Sequence, residues 1–182
     1  MHIGNYASSQ GTVTVSGIDS GGTASRLTGK LGVAAKWGAC TGTLNIADGG
    51  VVRITELRMS ESGGSGEAYM TNGGMLALDG DLSASLGTFL GDIFVGGVQG
   101  AYTNEIKYDD GGVWTDLLTT TDLGAIGATL NYYGTSTIIN GVEMQGYTVL
   151  TVATEAEATP VPEPATLALV SLGLLGMAIR RR

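Results

Sequence analysis

The chain of 182 residues is long enough for one domain of ordinary size, and it carries 17 acidic against 9 basic side chains, a net charge of −8. Such an acidic chain repels phosphate backbones, which argues against a nucleic-acid-binding protein. Glycine accounts for 31 residues and proline for only three, which predicts short strands joined by tight turns and argues against a collagen-like chain.

The N-terminal half of the chain contains an internal repeat. Residues 42–54 (GTLNIADGGVVRI) recur without a gap, 24 residues later, as residues 66–78 (GEAYMTNGGMLAL), with every glycine of the first copy in its place. An earlier copy of the first strand lies at residues 11–17, so we expect a turn with an insertion within residues 18–29. Leu31-Gly32-Val33 and Leu57-Arg58-Met59 form another matched pair.

Within each copy, apolar residues alternate with polar ones, which is typical of short strands with one buried face. Stacking such units in register gives parallel strands around a continuous apolar core. The sequence therefore predicts an all-β fold, a parallel β-solenoid (β-helix) of about three coils over residues 1–80. An antiparallel sandwich or barrel with strands every 8–12 residues or about that is the alternative, although a sandwich does not need a fixed period. The expected outward-facing residues are Thr12, Thr14, Thr43, Asn45, Glu67 and Tyr69.

A mixed cap is predicted over residues 81–153, because the last coil would otherwise leave an unpaired edge. Leu82, Leu86, Phe89 and Leu90 have helical spacing and predict a short amphipathic helix across the end of the stack. Further strands are expected in four aromatic-rich segments, at residues 106–108, 113–114, 130–133 and 147–152.

Little in the chain predicts catalysis. The only histidine is His2 and the only cysteine is Cys40, which we expect to be a buried structural thiol. The acidic pairs Asp79/Asp81 and Asp109/Asp110 could form an acid–base pair or a calcium site, but their glycine neighbours favour turns. We therefore expect no enzyme activity, no cofactor and no metal.

The C-terminal part has three segments after an acidic linker at residues 154–161. Pro162, Glu163 and Pro164 come first, an uncharged apolar run follows, and Arg180, Arg181 and Arg182 end the chain. Fifteen residues of helix span only about 22 Å against a hydrocarbon core of about 30 Å, so we predict a transient membrane anchor with a stop-transfer cluster of arginines. The predicted anchor residues are Ala165, Leu167, Leu169, Val170, Leu172, Leu174, Leu175, Met177 and Ile179.

This three-part layout, with VPEPATLAL before the apolar run, resembles the PEP-CTERM sorting signal. The resemblance implies recognition of residues 162–164 by an exosortase, transient anchoring in the inner membrane, and display at the cell surface or in the extracellular matrix, with exopolysaccharide as a further partner. The body, through GTVTVSG, GTLNIADGG and GYTVLTV, is similar to repeat-bearing PEP-CTERM proteins of planctomycete-like bacteria, with autotransporter-like β-solenoid repeats. The first six residues lack the features of a signal peptide, so we expect an N-terminally truncated chain.

Three hypotheses for function follow. The first is a non-catalytic surface or matrix protein. The second is a glycan- or ice-binding flat face on the solenoid, although Asn45 and Tyr69 interrupt a rank of threonines. The third is a polysaccharide-active β-helix enzyme, for which the repeat region offers few cations: Arg26, Lys30, Lys36, Arg53 and Arg58.

Overall fold

A computed structural model describes residues 1–34 and 38–153. The fold is predominantly β, with 49% of residues in strands and 6% in helices, which confirms the β class expected from composition and alternation. In chain order, the strands are β1 (His2–Ile3), β2 (Gln10–Ser16), β3 (Arg26–Val33), β4 (Thr41–Ala47), β5 (Val51–Met59), β6 (Ser65–Met70), β7 (Met75–Asp79), β8 (Phe94–Val95), β9 (Val98–Gln99), β10 (Ile106–Asp110), β11 (Val113–Asp116), β12 (Thr129–Tyr133), β13 (Ile138–Ile139), β14 (Val142–Glu143) and β15 (Tyr147–Thr151).

Two short helices interrupt the strands, a 3₁₀ turn at Glu61–Gly63 and α1 at Leu86–Gly91. The side chain of Ser85 caps α1 by accepting a hydrogen bond from the Thr88 amide at 3.0 Å. Leu86, Phe89 and Leu90 are buried, as the helical spacing predicts. The helix lies between β7 and β8 in the chain. It does not follow the last parallel strand, because β8 also pairs in parallel, with the end of β5.

The chain alternates between two sheets. Sheet I has the order β1-β3-β5-β7-β15-β12, with β8 and β9 attached to β5, and sheet II has the order β11-β10-β6-β4-β2. Strands β1, β3, β5 and β7 run parallel in sheet I, and strands β2, β4, β6 and β10 run parallel in sheet II. The parallel pairing thus continues past residue 80 into β8 and β10.

The register between these strands follows the internal repeat. Thr43 pairs with Glu67 and Val52 with Leu76, each 24 residues apart. Leu31-Gly32-Val33 lies beside Leu57-Arg58-Met59, as the self-match predicts. The expected insertion is also present, since residues 17–25 join β2 to β3 whereas only residues 48–50 join β4 to β5.

The paired glycines of the repeat have separate physical roles. Asp48 and Gly49 both have left-handed backbone angles, with φ of 52° and 75°, and Asn72 and Gly73 repeat this turn with 48° and 75°. The next glycine has ordinary angles but no room for a side chain. A Cβ atom on Gly74 would lie 2.2 Å from the carbonyl oxygen of Ile46 in the neighbouring strand.

The core lies between the two sheets. Leu44, Ile46, Leu76 and Leu78, four of the residues predicted to face inward, are at most 1% exposed and belong to one apolar cluster with residues of both sheets. Cys40 is buried too. His2 lies in β1, where it pairs with Gly32 of β3.

Antiparallel strands complete the sheets at the C-terminal side. Strand β15 pairs with β7 and β12, and β11 pairs with β10; all four aromatic-rich segments contain strands. The β13–β14 hairpin turns at Asn140 and Gly141, both left-handed. It packs on the outer face of sheet I, where a second apolar cluster comprises Ala24, Val51, Ala77, Val142, Met144 and Val149.

Thr148 on β15 fixes the start of the segment that leads to α1. Its side chain is fully buried, accepts a hydrogen bond from the Leu82 amide at 2.8 Å and donates one to the Gly80 carbonyl at 2.7 Å. Alternation alone does not distinguish this threonine from an ordinary strand residue.

Thr148→Val is expected to lower the free energy of unfolding by about 1–3 kcal/mol, because it keeps the shape but deprives the part-buried Leu82 amide and Gly80 carbonyl of their hydrogen-bond partner. The measurement is urea denaturation at 25 °C. Thr12→Val, at an exposed position on β2, serves as the control and should change stability by less than about 0.5 kcal/mol. Equal effects of the two substitutions would contradict the role of the Thr148 hydroxyl.

Candidate functional site

The residues predicted to carry sorting and anchoring lie outside the described part of the chain. They comprise the linker, the Pro162-Glu163-Pro164 element, the apolar run with its predicted hydrophobic helix, and the arginine cluster. Within residues 1–34 and 38–153, no helix combines the length and the apolar character that crossing a bilayer requires.

One member of each acidic pair acts as a turn acceptor. Asp81 accepts hydrogen bonds from the amide and hydroxyl of Ser83, and Asp109 accepts one from the Gly112 amide at 2.7 Å. This geometry agrees with the role in turns that the neighbouring glycines favour. Among the described residues, no group of three or more histidine, cysteine or acidic side chains is placed to hold a metal ion.

The outer face of sheet II carries a polar row across all five strands. The row runs from Thr14 through Asn45, Tyr69 and Lys107 to Asp116, which are successive register partners. The Asn45 side chain donates to the Thr14 hydroxyl at 3.3 Å. Thr12, Thr43 and Glu67 form the neighbouring row, so the predicted outward residues share one solvent-facing surface, and threonines do not continue along either row.

Ion pairs and a hydrogen bond connect side chains of neighbouring strands in the middle of this surface. The Lys107 ammonium lies 3.1 Å from Glu67 and 3.6 Å from Asp116, and the Tyr69 hydroxyl donates to Glu67 at 2.6 Å. The hydrogen bond from Tyr69, with help from Lys107 and against the effect of partial burial, lowers the pKa of Glu67 from its usual 4.5.

This pKa shift predicts a pH-dependent contribution to stability. Because the folded state lowers the pKa of Glu67, the ionised carboxylate stabilises the fold above about pH 4.5, and the effect is lost as pH falls through the folded-state pKa. We expect Glu67→Gln to cost about 0.5 kcal/mol at pH 7, as for an exposed ion pair, and the difference from the wild type to shrink as the pH is lowered towards 3. Denaturation curves at both pH values measure it, and a gap that widens in acid would contradict this assignment.

An aromatic pair adjoins the polar row. The rings of Tyr69 and Trp114 meet edge to face, with centroids 4.8 Å apart and planes at 77°. Trp114 is 47% exposed on the edge strand β11. The sequence predicts a strand at Trp114 but not this contact, because the two rings are far apart in the chain and meet only through the register of β6, β10 and β11.

A cleft lies on the opposite side of the molecule, between the outer face of sheet I and the β13–β14 hairpin. Its volume is about 320 Å³, and its lining residues are Arg26, Thr28, Arg53, Ile138, Gly141, Val142 and Glu143. The sequence singles out Arg26 and Arg53 only as cations of the repeat region. Of the other cations named there, Lys30 pairs with Glu56, and Arg58 pairs with Glu56 and Glu61; Lys36 lies outside the described residues.

No curated protein and no solved structure matches this chain, and these comparisons give no support to the resemblance of the body to planctomycete-like or autotransporter-like repeats. Residues 160–182 match the family model described as the PEP-CTERM protein-sorting motif. The match includes the Pro-Glu-Pro element, the apolar run and the terminal arginines. The chain therefore carries a PEP-CTERM sorting motif, which implies export and sorting to the cell surface through an exosortase.

Proposed function

We propose that this chain is a non-catalytic protein of the bacterial cell surface or extracellular matrix, released there after an exosortase processes its C-terminal tail. The sorting motif at residues 160–182 is the observation that carries the proposal. In this scheme the apolar run anchors the chain transiently in the inner membrane, the arginines stay on the cytoplasmic side, and exopolysaccharide surrounds the displayed domain.

The displayed part is proposed to be a short β-solenoid, closed by the antiparallel strands of residues 81–153. Support comes from the alternation of the chain between two sheets, in which the repeat strands run parallel, and from the 24-residue register between equivalent strands. Such a body suits a structural role because its backbone hydrogen bonds and its core repeat from one layer to the next. The residues beyond 153 would then act as a linker followed by the sorting tail.

The absence of catalysis is also part of the proposal. Its support is that one member of each acidic pair, Asp81 and Asp109, accepts hydrogen bonds within a turn and that two of the five cations named in the repeat region, Lys30 and Arg58, are in ion pairs. A polysaccharide-active enzyme is the competing hypothesis. Incubating the purified chain with a panel of acidic and neutral polysaccharides tests it, since reproducible chain cleavage would refute a non-catalytic role.

A sorting assay tests the main proposal. The full chain, preceded by a signal peptide, is expressed in an exosortase-positive bacterium and in its exosortase-deletion mutant. We expect a shortened form at the surface or in the medium of the first strain, and only the uncut, membrane-associated form in the second. Identical fractionation in both strains would refute exosortase-dependent sorting.

Glycan binding on sheet II is the second candidate function, and the exposed Trp114 beside Tyr69 favours it. Aromatic rings surrounded by hydrogen-bonding side chains are suited to stacking against a sugar ring. The interrupted threonine rows disfavour ice binding. Trp114→Ala is expected to weaken retention on neutral glycan columns, with Tyr132→Ala, an exposed aromatic residue on β12, as the matched control; unchanged retention of Trp114→Ala would remove this candidate.

A further inference from the structure

The cleft beside the β13–β14 hairpin contains two cations that lack a carboxylate partner. Among the residues that the structure describes, no acidic group lies within ion-pair distance of Arg26 or Arg53. This is unexpected in a chain with 17 acidic and only 9 basic side chains, because acidic partners are abundant. The two guanidinium groups therefore form a local positive site on an otherwise acidic protein.

Arg53 is held in place but is not fully satisfied. Its Nη1 donates to the backbone carbonyl of Glu143 at 2.5 Å, and its guanidinium lies 5.2 Å from the centre of the Tyr147 ring. Its Nε is buried and has no hydrogen-bond partner in the described structure. A buried donor without an acceptor is costly, and ligand-binding sites are one place where such groups occur.

The carboxylate of Glu143 does not neutralise these arginines. It accepts hydrogen bonds from the Ser136 hydroxyl at 2.7 Å and from the Thr137 and Gln145 amides at 3.0 Å each. These bonds, that from Ser136 first, lower the pKa of Glu143 below its usual range. Glu143 thus shapes the hairpin and leaves a negatively charged acceptor in the wall of the cleft.

The remaining lining is apolar or weakly polar. Ile138, which is 70% exposed, and Val142 come from the hairpin, and Thr28 contributes a hydroxyl group from β3 next to Arg26. A ligand for this cleft needs a carboxylate for the guanidinium groups. It also needs a carbon skeleton for the apolar wall and hydroxyl donors for Glu143.

We infer that this cleft binds one uronate ring of an acidic polysaccharide. A uronate ring joins one carboxylate to C–H faces and hydroxyl groups, and a cleft of about 320 Å³ is at the small end of the usual range for ligand sites. An acidic peptide fits less well, because a second carboxylate beside the first would face Glu143 and be repelled. The acidic glycan then lies on a different face of the molecule from Trp114.

The test is isothermal titration of the purified full chain in carboxylate-free buffer at low salt. The probes are trigalacturonate, the neutral galactose trisaccharide and a pentaglutamate peptide. We expect trigalacturonate to bind, the affinity to fall with added salt, and the other two probes to bind at least tenfold more weakly. Equal binding of the neutral sugar, or tighter binding of the peptide, would overturn the inference.

Variants locate the site. Arg26→Gln is expected to weaken trigalacturonate binding at least tenfold, whereas Lys30→Gln, a cation on the same strand that pairs with Glu56, should change it less than twofold. Thr28→Val is a second variant that tests the cleft as the binding site, and it leaves Arg53 and the hairpin unchanged. Unchanged affinity of Arg26→Gln, or an equal loss in Lys30→Gln, would overturn the assignment. Binding needs no exosortase and sorting needs no uronate, so failure of one leaves the other measurable.

Discussion

Gly74→Ala is expected to destabilise the protein by about 3 kcal/mol or more, the upper end of the usual cost of overpacking. The added Cβ atom would lie 2.2 Å from the Ile46 carbonyl oxygen and 2.7 Å from its carbon. Both are backbone atoms of the adjacent layer, so no side-chain rotation can relieve the clash. Relief requires β4 and β7 to move apart at Gly74. The backbone is held there, because the Gly74 amide donates a hydrogen bond of 2.8 Å to the Thr71 carbonyl and so closes the turn.

Gly91→Ala is the matched control. A Cβ atom on Gly91 would meet nothing within 4 Å, and Gly91 ends α1, where alanine is a better helix former than glycine. We expect this variant to be neutral or slightly more stable in thermal and urea denaturation. Gly50→Ala, the equivalent of Gly74 one layer earlier, should resemble Gly74→Ala because its Cβ would lie 2.3 Å from the Val15 carbonyl oxygen. If Gly74→Ala and Gly91→Ala were equally stable, the close approach between layers would be refuted.

These glycines also explain why the register could be predicted from the sequence. A left-handed residue and a position without space for Cβ both require glycine or nearly so, and the same turn recurs between β4 and β5 and between β6 and β7. Gly50 and Gly74 therefore mark equivalent points in successive layers. Alternation then identifies the inward side chains, such as Leu44 and Leu76, because the period of a strand is two.

Contacts with residues outside the repeat could not be predicted in this way. Val51 and Ala77 lie on the outer face of sheet I, yet both are fully buried because the β13–β14 hairpin covers them. The hairpin itself consists of two strands of two residues each, too short to show a period. Its position depends on contacts such as that between the Asn140 side chain and the Gly49 carbonyl at 3.2 Å.

The candidate sites depend on the same contacts. In the sequence, Arg53 resembles any outward-facing cation of a strand. The cleft around it forms only because the β13–β14 hairpin supplies the opposite wall. Trp114 meets Tyr69 because β11 returns antiparallel beside β10. Sequence patterns within the repeat locate the strands that support these surfaces, whereas the chemistry of each surface depends on segments outside the repeat.

Replacing Pro162, Glu163 and Pro164 with alanine is expected to reduce the processed surface form at least tenfold. The change leaves the length and apolar character of residues 165–179 and the three arginines intact, so membrane insertion should continue. What is lost is the element that the exosortase is expected to recognise within the matched motif. Immunoblots of membrane, surface and medium fractions should show the uncut chain retained in the membrane.

Two further variants separate recognition from anchoring. Alanine at Thr154, Glu155 and Glu157 changes three residues just before the motif and should leave processing at the wild-type level. Serine at Arg180, Arg181 and Arg182 removes the charges that oppose translocation, so uncut chain should pass into the medium instead of staying in the membrane. Normal processing of the Pro-Glu-Pro variant would show that residues 162–164 are not the recognition element, and so would an equal loss of processing in the linker variant. The comparison is informative because the two sets of substitutions lie close together in the chain, so that only a specific contact with the exosortase distinguishes them.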